Sequence, residues 1–166
     1  ITVFSAEGVA IDNPAFVVAP ASFNAIAADA ALALGDLLDD EGWRTRAHTL
    51  AKNLDAAAWD DDQQLWSDVA FRGGGDSVRI PTSDAVLPAL CTPDRAKAEK
   101  ALAQLALPDR FGATYGPRFV PSGEPSYHPD QYWRGLTWPQ LNYRDVIAAR
   151  RCELGPLAAD LAATTQ

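Results

Sequence analysis

The sequence predicts an all-α chain of helical hairpins in series, a pattern that fits an α/α toroid or another stack of helix pairs. Three observations predict it. Apolar residues recur at spacings of three and four over most of the chain. The first two helical stretches are separated by only a few residues, so they must lie antiparallel. Residues branched at Cβ, which favour strands, are few. At 166 residues and 17.8 kDa the chain is long enough for one domain with a sizeable core. Its 48% apolar and 22% charged residues exclude a disordered tail.

Residues 1–20 read as an irregular lead-in, punctuated by Gly8, Pro14 and Pro20, with Ala15-Phe16-Val17-Val18 as the clearest apolar piece. Pro20-Ala21-Ser22 opens the first helix, with Ser22 as N-cap. Its apolar positions are Phe23, Ile26, Ala27, Ala30, Leu34, Leu37 and Leu38, and it stops near Asp39-Asp40-Glu41-Gly42. The second helix carries Trp43, Ala47, Leu50, Ala51, Leu54, Ala57 and Ala58. Trp59 to Asp68 then forms a turn and a short extended piece. Its acidic run reads as a solvated turn, because a calcium loop needs a longer, regular ligand pattern. Gly73-Gly74-Gly75 has neither the lysine of a phosphate loop nor the flanking strand and helix, and reads as a loop.

A short third helix starts near Thr82-Ser83-Asp84 and carries Val86, Leu87, Ala89 and Leu90. A fourth runs from about Pro93 to Leu107, with Pro93 in its first turn, where a missing N–H does no harm. Residues 108–131 form a long loop with Phe111, Tyr115, Phe119 and Tyr127. Loops of this length in a compact domain usually carry function. A fifth helix runs from Pro139 to about Arg151 and a last one from Pro156 to about Thr164.

Charge and cysteine usage narrow the function classes. Basic residues number 14 and acidic residues 22, a net charge of −8 with a pI near 4.6. Nucleic acid and an anionic membrane surface both need a basic face, so neither is expected as a partner. No apolar run is expected to span a bilayer. The start, Ile1-Thr2-Val3-Phe4-Ser5, has no basic n-region and does not read as a signal peptide; it reads as a chain cut from something longer or a mature form. A cytoplasmic location follows as an expectation. Cys91 and Cys152 have no CxxC spacing and no adjacent histidine, so they read as two reduced thiols, not a metal site. His48 and His128 do not form one either. No cofactor is implied.

The segment from Tyr127 to Tyr143 carries five aromatics interleaved with Gln131, Arg134, Gln140, Asn142 and Asp130. A pyranose has apolar faces that stack on aromatic rings and a rim of hydroxyls that needs donors and acceptors, and this mixture supplies both. The competing reading at this point is that the rings fill the core between helices.

Gln131-Tyr132-Trp133-Arg134-Gly135-Leu136-Thr137-Trp138-Pro139-Gln140-Leu141-Asn142-Tyr143 resembles the YWRG segment of glycoside hydrolase family sixty-three, nearest to its bacterial mannosylglycerate and glucosylglycerate hydrolases. The stretch from Pro14 to Ile26 is similar to the segment that opens a barrel helix in that family, with Ala19 where the family has Asp. Trp59-Asp60 with Leu65-Trp66-Ser67-Asp68, and Ser83 to Leu90, resemble two further family segments in the same order.

The resemblance implies an (α/α)6 toroid, about half of it in this chain, with residues 1–166 part of a single catalytic domain. It implies hydrolysis of a small α-glucoside or α-mannoside, such as glucosylglycerate or mannosylglycerate, with inversion. The family's general acid lies in a G-x-D-N-S-P motif upstream and its base in a glutamate downstream. Asp12, in Ile11-Asp12-Asn13-Pro14, is a candidate for the acid, although Pro14 already belongs to the barrel-helix segment. On this reading both catalytic carboxylates fall outside the chain, and the chain alone is inactive. Tyr132, Trp133, Arg134, Gly135 and Trp138 are expected to line the sugar pocket. Gly135 would admit close approach of a ligand, and Arg134 would either join the pocket or brace a neighbouring carboxylate. The positive end of the helix begun by Pro139 would suit a glycerate carboxylate. The expected partner is a small carbohydrate. A part-toroid on its own exposes uncovered faces, so a homo-oligomer or low stability is also expected. The rival functions are a non-catalytic helical-hairpin binding or scaffold module and a trehalase-like or sugar-epimerase-like toroid enzyme.

Overall fold

The computed structural model describes residues 3–4, 10–12, 18–70 and 77–164. Helix α1, Ala21–Leu38, is followed by α2, Glu41–Ala58, and the two form an antiparallel hairpin. The link is two residues. Asp39 turns into the left-handed region at φ 51°, and its N–H donates to the Gly35 carbonyl. Asp40 then caps α2, its carboxylate accepting from the N–H groups of Gly42 and Trp43.

The buried face of α1 differs from the expected one. Ala21, Ser22, Ala25, Ala28, Ala31 and Gly35 face inward, while Phe23, Leu37 and Leu38 are exposed. Small residues let helix axes approach closely. A Cβ at Gly35 would stand 2.7 Å from Arg44 Cγ and 2.9 Å from the Arg44 nitrogen. On α2 the face of Ala47, Ala51, Leu54 and Ala58 is buried, in agreement with the periodicity.

Ser22 is not the N-cap of α1. The helix starts after Pro20 with no local side-chain cap. Its first N–H, on Ala21, donates instead to Asp68 across 2.8 Å, satisfying an orphan donor from a distant part of the chain. A correction also concerns membrane-spanning potential: the 18-residue α1, with mean hydropathy 1.3, is long and apolar enough to cross a bilayer by length and composition. In the fold it packs on α2 and on the third helix, and its Asp29 pairs with Arg151.

Residues 1–20 hold more order than an irregular lead-in. Strands β1 (Val3–Phe4) and β2 (Ala10–Asp12) pair antiparallel. Strand β3 (Val18–Ala19) pairs with β6 (Asp68–Ala70), which pairs with β7 (Ser77–Val78). Most of the apolar piece Ala15–Val18 and the Gly73–Gly75 run lie outside the described residues. After α2, β4 (Trp59–Asp60) and β5 (Leu65–Trp66) form a tight hairpin, with Trp59 and Trp66 edge to face at 4.7 Å. The acidic turn is closed by Arg79, which bonds Asp60 through two nitrogens and also Asp62. That guanidinium, joined by the N–H groups of Gln63 and Asp62, holds the Asp60 carboxyl down at about 2 against an opposing effect of burial.

The third helix, Ser83–Leu90, is a 3-10 helix. Pro88 lies inside it, offers no N–H, and would clash with a carbonyl one α-helical turn earlier. Burial of Val86, Leu87, Ala89 and Leu90 holds the tighter form in place. Helix α3, Arg95–Ala103, is capped by Asp94 and extended by a 3-10 turn, Gln104–Ala106. Pro93 therefore stands before the cap and not in the first turn. Helices α4, Pro139–Arg151, and α5, Gly155–Thr164, match the expected spans.

Helices α1, the 3-10 helix and α4 lie side by side, and each pairs with the helix after it. Ser83 and Leu136, which precede or begin two of them, share the peptide of Phe119, and Arg151 at the end of α4 bonds the Leu90 carbonyl and Asp29. The three thus run the same way, with α2, α3 and α5 returning outside, as in an arc of an α/α toroid.

Asp60 titrates below the ordinary carboxylate range, so the stability it contributes is present above about pH 4 and is lost as the pH falls toward about 2. Arg79→Ala is expected to lower stability at neutral pH and to flatten that acid limb. Circular dichroism of acid unfolding checks this; an unchanged profile contradicts it.

Candidate functional site

The long loop is held by its own backbone. The N–H of Arg118 donates to the Phe111 carbonyl, and that of Phe119 to the Leu136 carbonyl across 3.1 Å. Arg118 and Thr137 form an isolated antiparallel bridge, and the Thr137 hydroxyl donates to Gly116. Phe111 and Val120 are buried and anchor the loop. The Arg118 guanidinium donates to the carbonyls of Pro108 and Gly112 and lies over the Tyr127 ring.

Residues 128–135 fold into a compact knot. His128 N–H donates to the Arg134 carbonyl, Gln131 N–H to His128, and Arg134 N–H to Gln131. Gly135 is required here, for a reason other than the expected one. A Cβ would run into the His128 oxygen and stand 2.8 Å from Pro129 Cα, so the chain's own backbone occupies the space assigned to a ligand. Arg134 also departs from expectation: its Nε donates to the Ser126 carbonyl at 2.6 Å and its Nη1 to Gln131 Oε1, so it braces the knot and not a carboxylate.

Tyr132, Trp133 and Trp138 come together as one aromatic surface. Trp133 and Trp138 stack at 4.1 Å and 21°. Tyr132 stands edge-on to both, and Phe119 edge-on to Trp133 at 5.1 Å. Tyr132 is 65% and Trp133 46% exposed, so these rings do not fill the core between helices. Trp133 has φ 58°, a left-handed conformation that a bulky residue rarely adopts. Phe119 joins this surface although the motif did not include it.

Trp138 is also the N-cap residue of α4, gives no side-chain cap, and is followed by Pro139. The positive end of α4 is thus open beside the aromatic surface. Along the same face, three and four residues apart, come Asn142 and Asp145, both buried. Burial, with Asp84 nearby, drives the Asp145 carboxyl well above the usual range. An acid on the inward face of a helix was the sequence signal for it.

The other candidates lie elsewhere. Asp12 ends β2, opposite Val3, and its side chain lies outside the described residues. His48 is exposed on α2, and His128 Nδ1 accepts from the Asp130 N–H. Cys91 and Cys152, both free, line a cleft of about 520 Å³ toward the C-terminal end of α4. Burial, then the charges of Asp55 and Asp29, pushes the Cys91 thiol up to about 12, so it is no nucleophile at neutral pH. Among the described residues no group of three or more histidines, cysteines or carboxylates is arranged to hold a metal.

A family model, the mannosylglycerate hydrolase MGH1-like glycoside hydrolase domain, matches residues 4–166. The chain belongs to this family. The GH63 mannosylglycerate hydrolase of Thermus thermophilus, solved in complex with glucose, is 31% identical over 90% of this chain and 36% of its own, with a TM-score of 0.74. The same enzyme in complex with Tris and D-glycerate gives 30% identity over 89% and 36%, with a TM-score of 0.73. Neutral trehalase Nth1 from Saccharomyces cerevisiae shares the fold, at 12% identity over 89% of this chain and 30% of its own and a TM-score of 0.73. No curated protein matches. The chain spans little more than a third of the Thermus enzyme's length, 36%. Within the MGH1-like family, then, the helical arc is part of an α/α toroid, and the aromatic surface sits where its parallel helices begin.

Gly135→Ala is expected to push the knot apart, lower stability by about 1–3 kcal/mol and break the indole stack. Near-ultraviolet circular dichroism reads the tryptophan pair directly; an unaltered spectrum contradicts the packing role given to Gly135.

Proposed function

We propose that the protein hydrolyses the α-glycosidic bond of a small hexosyl glycerate, glucosylglycerate or mannosylglycerate, with inversion, and that this chain supplies part of the sugar-binding wall. The observation that carries the reading is the pair of exposed rings, Tyr132 and Trp133, packed on the half-buried Trp138 beside the open N-terminus of α4. Exposed rings offer a face to the apolar side of a pyranose, and the helix end favours an anion such as the glycerate carboxylate. The Thermus mannosylglycerate hydrolase holds glucose in one structure and Tris with D-glycerate in another, and a hexose and glycerate are the two halves of such a substrate.

Inversion needs two carboxyl groups on opposite faces of the scissile bond. One, as the acid, gives its proton to the leaving glycerate oxygen. The other, as the base, takes a proton from the water that attacks the anomeric carbon, with about 6.5–9.5 Å between the two groups. The family resemblance puts these groups at positions with no clear counterpart in this chain. Arg134 and Gly135 shape the wall from behind, through the loop knot, while the aromatic rings touch the sugar.

Trp133→Ala is expected to raise KM or lower kcat for the hexosyl glycerates by at least tenfold in the protein that carries both carboxylates, with the helical circular dichroism spectrum retained. Full activity would sink the sugar-platform reading, and loss of the fold would make Trp133 structural. Trehalose and simple α-glucosides in the same assay separate this substrate class from a trehalase-like one. The 166-residue chain alone is expected to show no turnover; activity abolished by Asp12→Asn would overturn that and make Asp12 the acid.

A further inference from the structure

Helix α1 has a second apolar face, opposite the one it buries. Phe23, Ala27, Ala30, Leu34 and Leu37 recur at spacings of four, three, four and three, which sets them in one stripe along the helix. Phe23 is 70% and Leu37 82% exposed, Ala27 and Ala30 are exposed, and Leu34 is half-buried. The stripe carries no charge. The two acids of α1 lie beside it and are engaged elsewhere, Asp36 with Arg44 of α2 at 3.0 Å and Asp29 with Arg151 of α4. A contiguous exposed apolar patch of this kind marks a contact surface.

The arc identifies what covers it. Among the described residues α1, the 3-10 helix and α4 stand side by side in that order, so the 3-10 helix has a parallel neighbour on both flanks and α1 on one. In a closed ring each inner helix has two. The chain covers 36% of the Thermus enzyme, and the larger part of that length is left to supply the second neighbour of α1. A bilayer fits the stripe less well. The length and hydropathy of α1 would allow a crossing, but a helix at a membrane surface carries Lys and Arg on its polar face. Helix α1 has neither, and Asp39, Asp40 and Glu41 follow it.

We propose that this stripe is the seam on which a further inner helix of the toroid docks, and that the docking helix runs parallel to α1 and faces it with uncharged, apolar side chains. Its bulky residues sit over Ala27 and Ala30. Phe23 at one end of the stripe and Leu34 and Leu37 at the other are large, and the two alanines between them leave a hollow at mid-helix that close packing fills. The direction follows from the three parallel helices already in the layer. It puts the start of the docking helix beside Phe23, at the end of the arc where the 3-10 helix and α4 also begin and where the aromatic surface lies. The seam therefore joins the aromatic surface to the part of the protein beyond this arc.

Hydroxyl-radical footprinting of the protein that carries the whole ring reads the seam directly. Phe23, Leu34 and Leu37 are expected to be labelled about fivefold more slowly in the native than in the unfolded protein, at every protein concentration and without lipid. Labelling as fast as in the unfolded protein overturns the proposal. So does protection that is lost on dilution, which makes a second copy the occupant, and protection that needs phosphatidylcholine or phosphatidylserine vesicles, which makes it a membrane. Ala30→Glu places a carboxylate in the hollow and is expected to lower the melting temperature by about 5 °C or more, whereas Ala56→Glu, on the exposed face of α2, is expected to change it little. Equal small shifts overturn the seam. If Ala30→Glu fails to fold, the footprint of the unsubstituted protein decides.

Discussion

Much of the arrangement depends on the peptide of Phe119. Its carbonyl accepts the Ser83 N–H at 2.8 Å and its N–H donates to the Leu136 carbonyl at 3.1 Å. One residue in a long loop thus joins the start of the 3-10 helix to the approach to α4. A net hydrogen bond contributes about 0.5–1.5 kcal/mol, a small amount. Ser83 is buried, however, and a buried N–H left without a partner costs about 1–3 kcal/mol. The loop therefore has one backbone arrangement that satisfies both helix starts, and the Phe119 ring is delivered against Trp133 as a consequence.

Trp133 shows what that rigidity sustains. A left-handed conformation costs a residue with a Cβ about 1–2 kcal/mol. Trp133 contacts Phe119, Tyr132 and Trp138, and aromatic pairs contribute about 0.5–1.5 kcal/mol each beyond the area they bury. The contacts are large enough to hold the strained backbone. The strain in turn keeps the indole at the surface, where a relaxed φ would swing it toward another position. A ring already ordered in this way loses little conformational entropy when a ligand stacks on it.

The helices were legible because their information is local. Ala and Leu at spacings of three and four mark α2 and α5, and Pro139 marks the start of α4. What depended on distant contacts was not legible. The cap of α1 comes from Asp68, forty-seven positions away, so Ser22 looked like the better candidate. The inward face of α1 is its small-residue face because two other helices must approach it, and only the packing reveals that Phe23 is left outside. The YWRG segment was conspicuous by composition, yet the work of its members was not. Gly135 yields to the His128 carbonyl and Arg134 to that of Ser126, partners supplied by a fold-back that no spacing rule encodes. Pro88 did carry a local signal, and the 3-10 geometry is its outcome.

The two ends of α4 are built differently, and the difference bears on where chemistry belongs. At the C-terminal end the capping groups are abundant. The Cys152 N–H donates to the Ala148 carbonyl, Leu154 to Ala149, and Glu153 adopts a left-handed φ of 58° to allow the turn. Arg150 and Arg151 complement the negative end of the helix dipole. Arg151 and the Cys152 thiol also cap the neighbouring carbonyls of Leu90 and Ala89, which closes the end of the 3-10 helix as well. At the N-terminal end none of this is provided. Pro139 has no N–H, Trp138 offers no side-chain oxygen, no acid stands in the first turn, and the Trp138 indole nitrogen is buried without a partner. A helix finished so thoroughly at one end and left open at the other directs its unspent positive potential toward the aromatic surface.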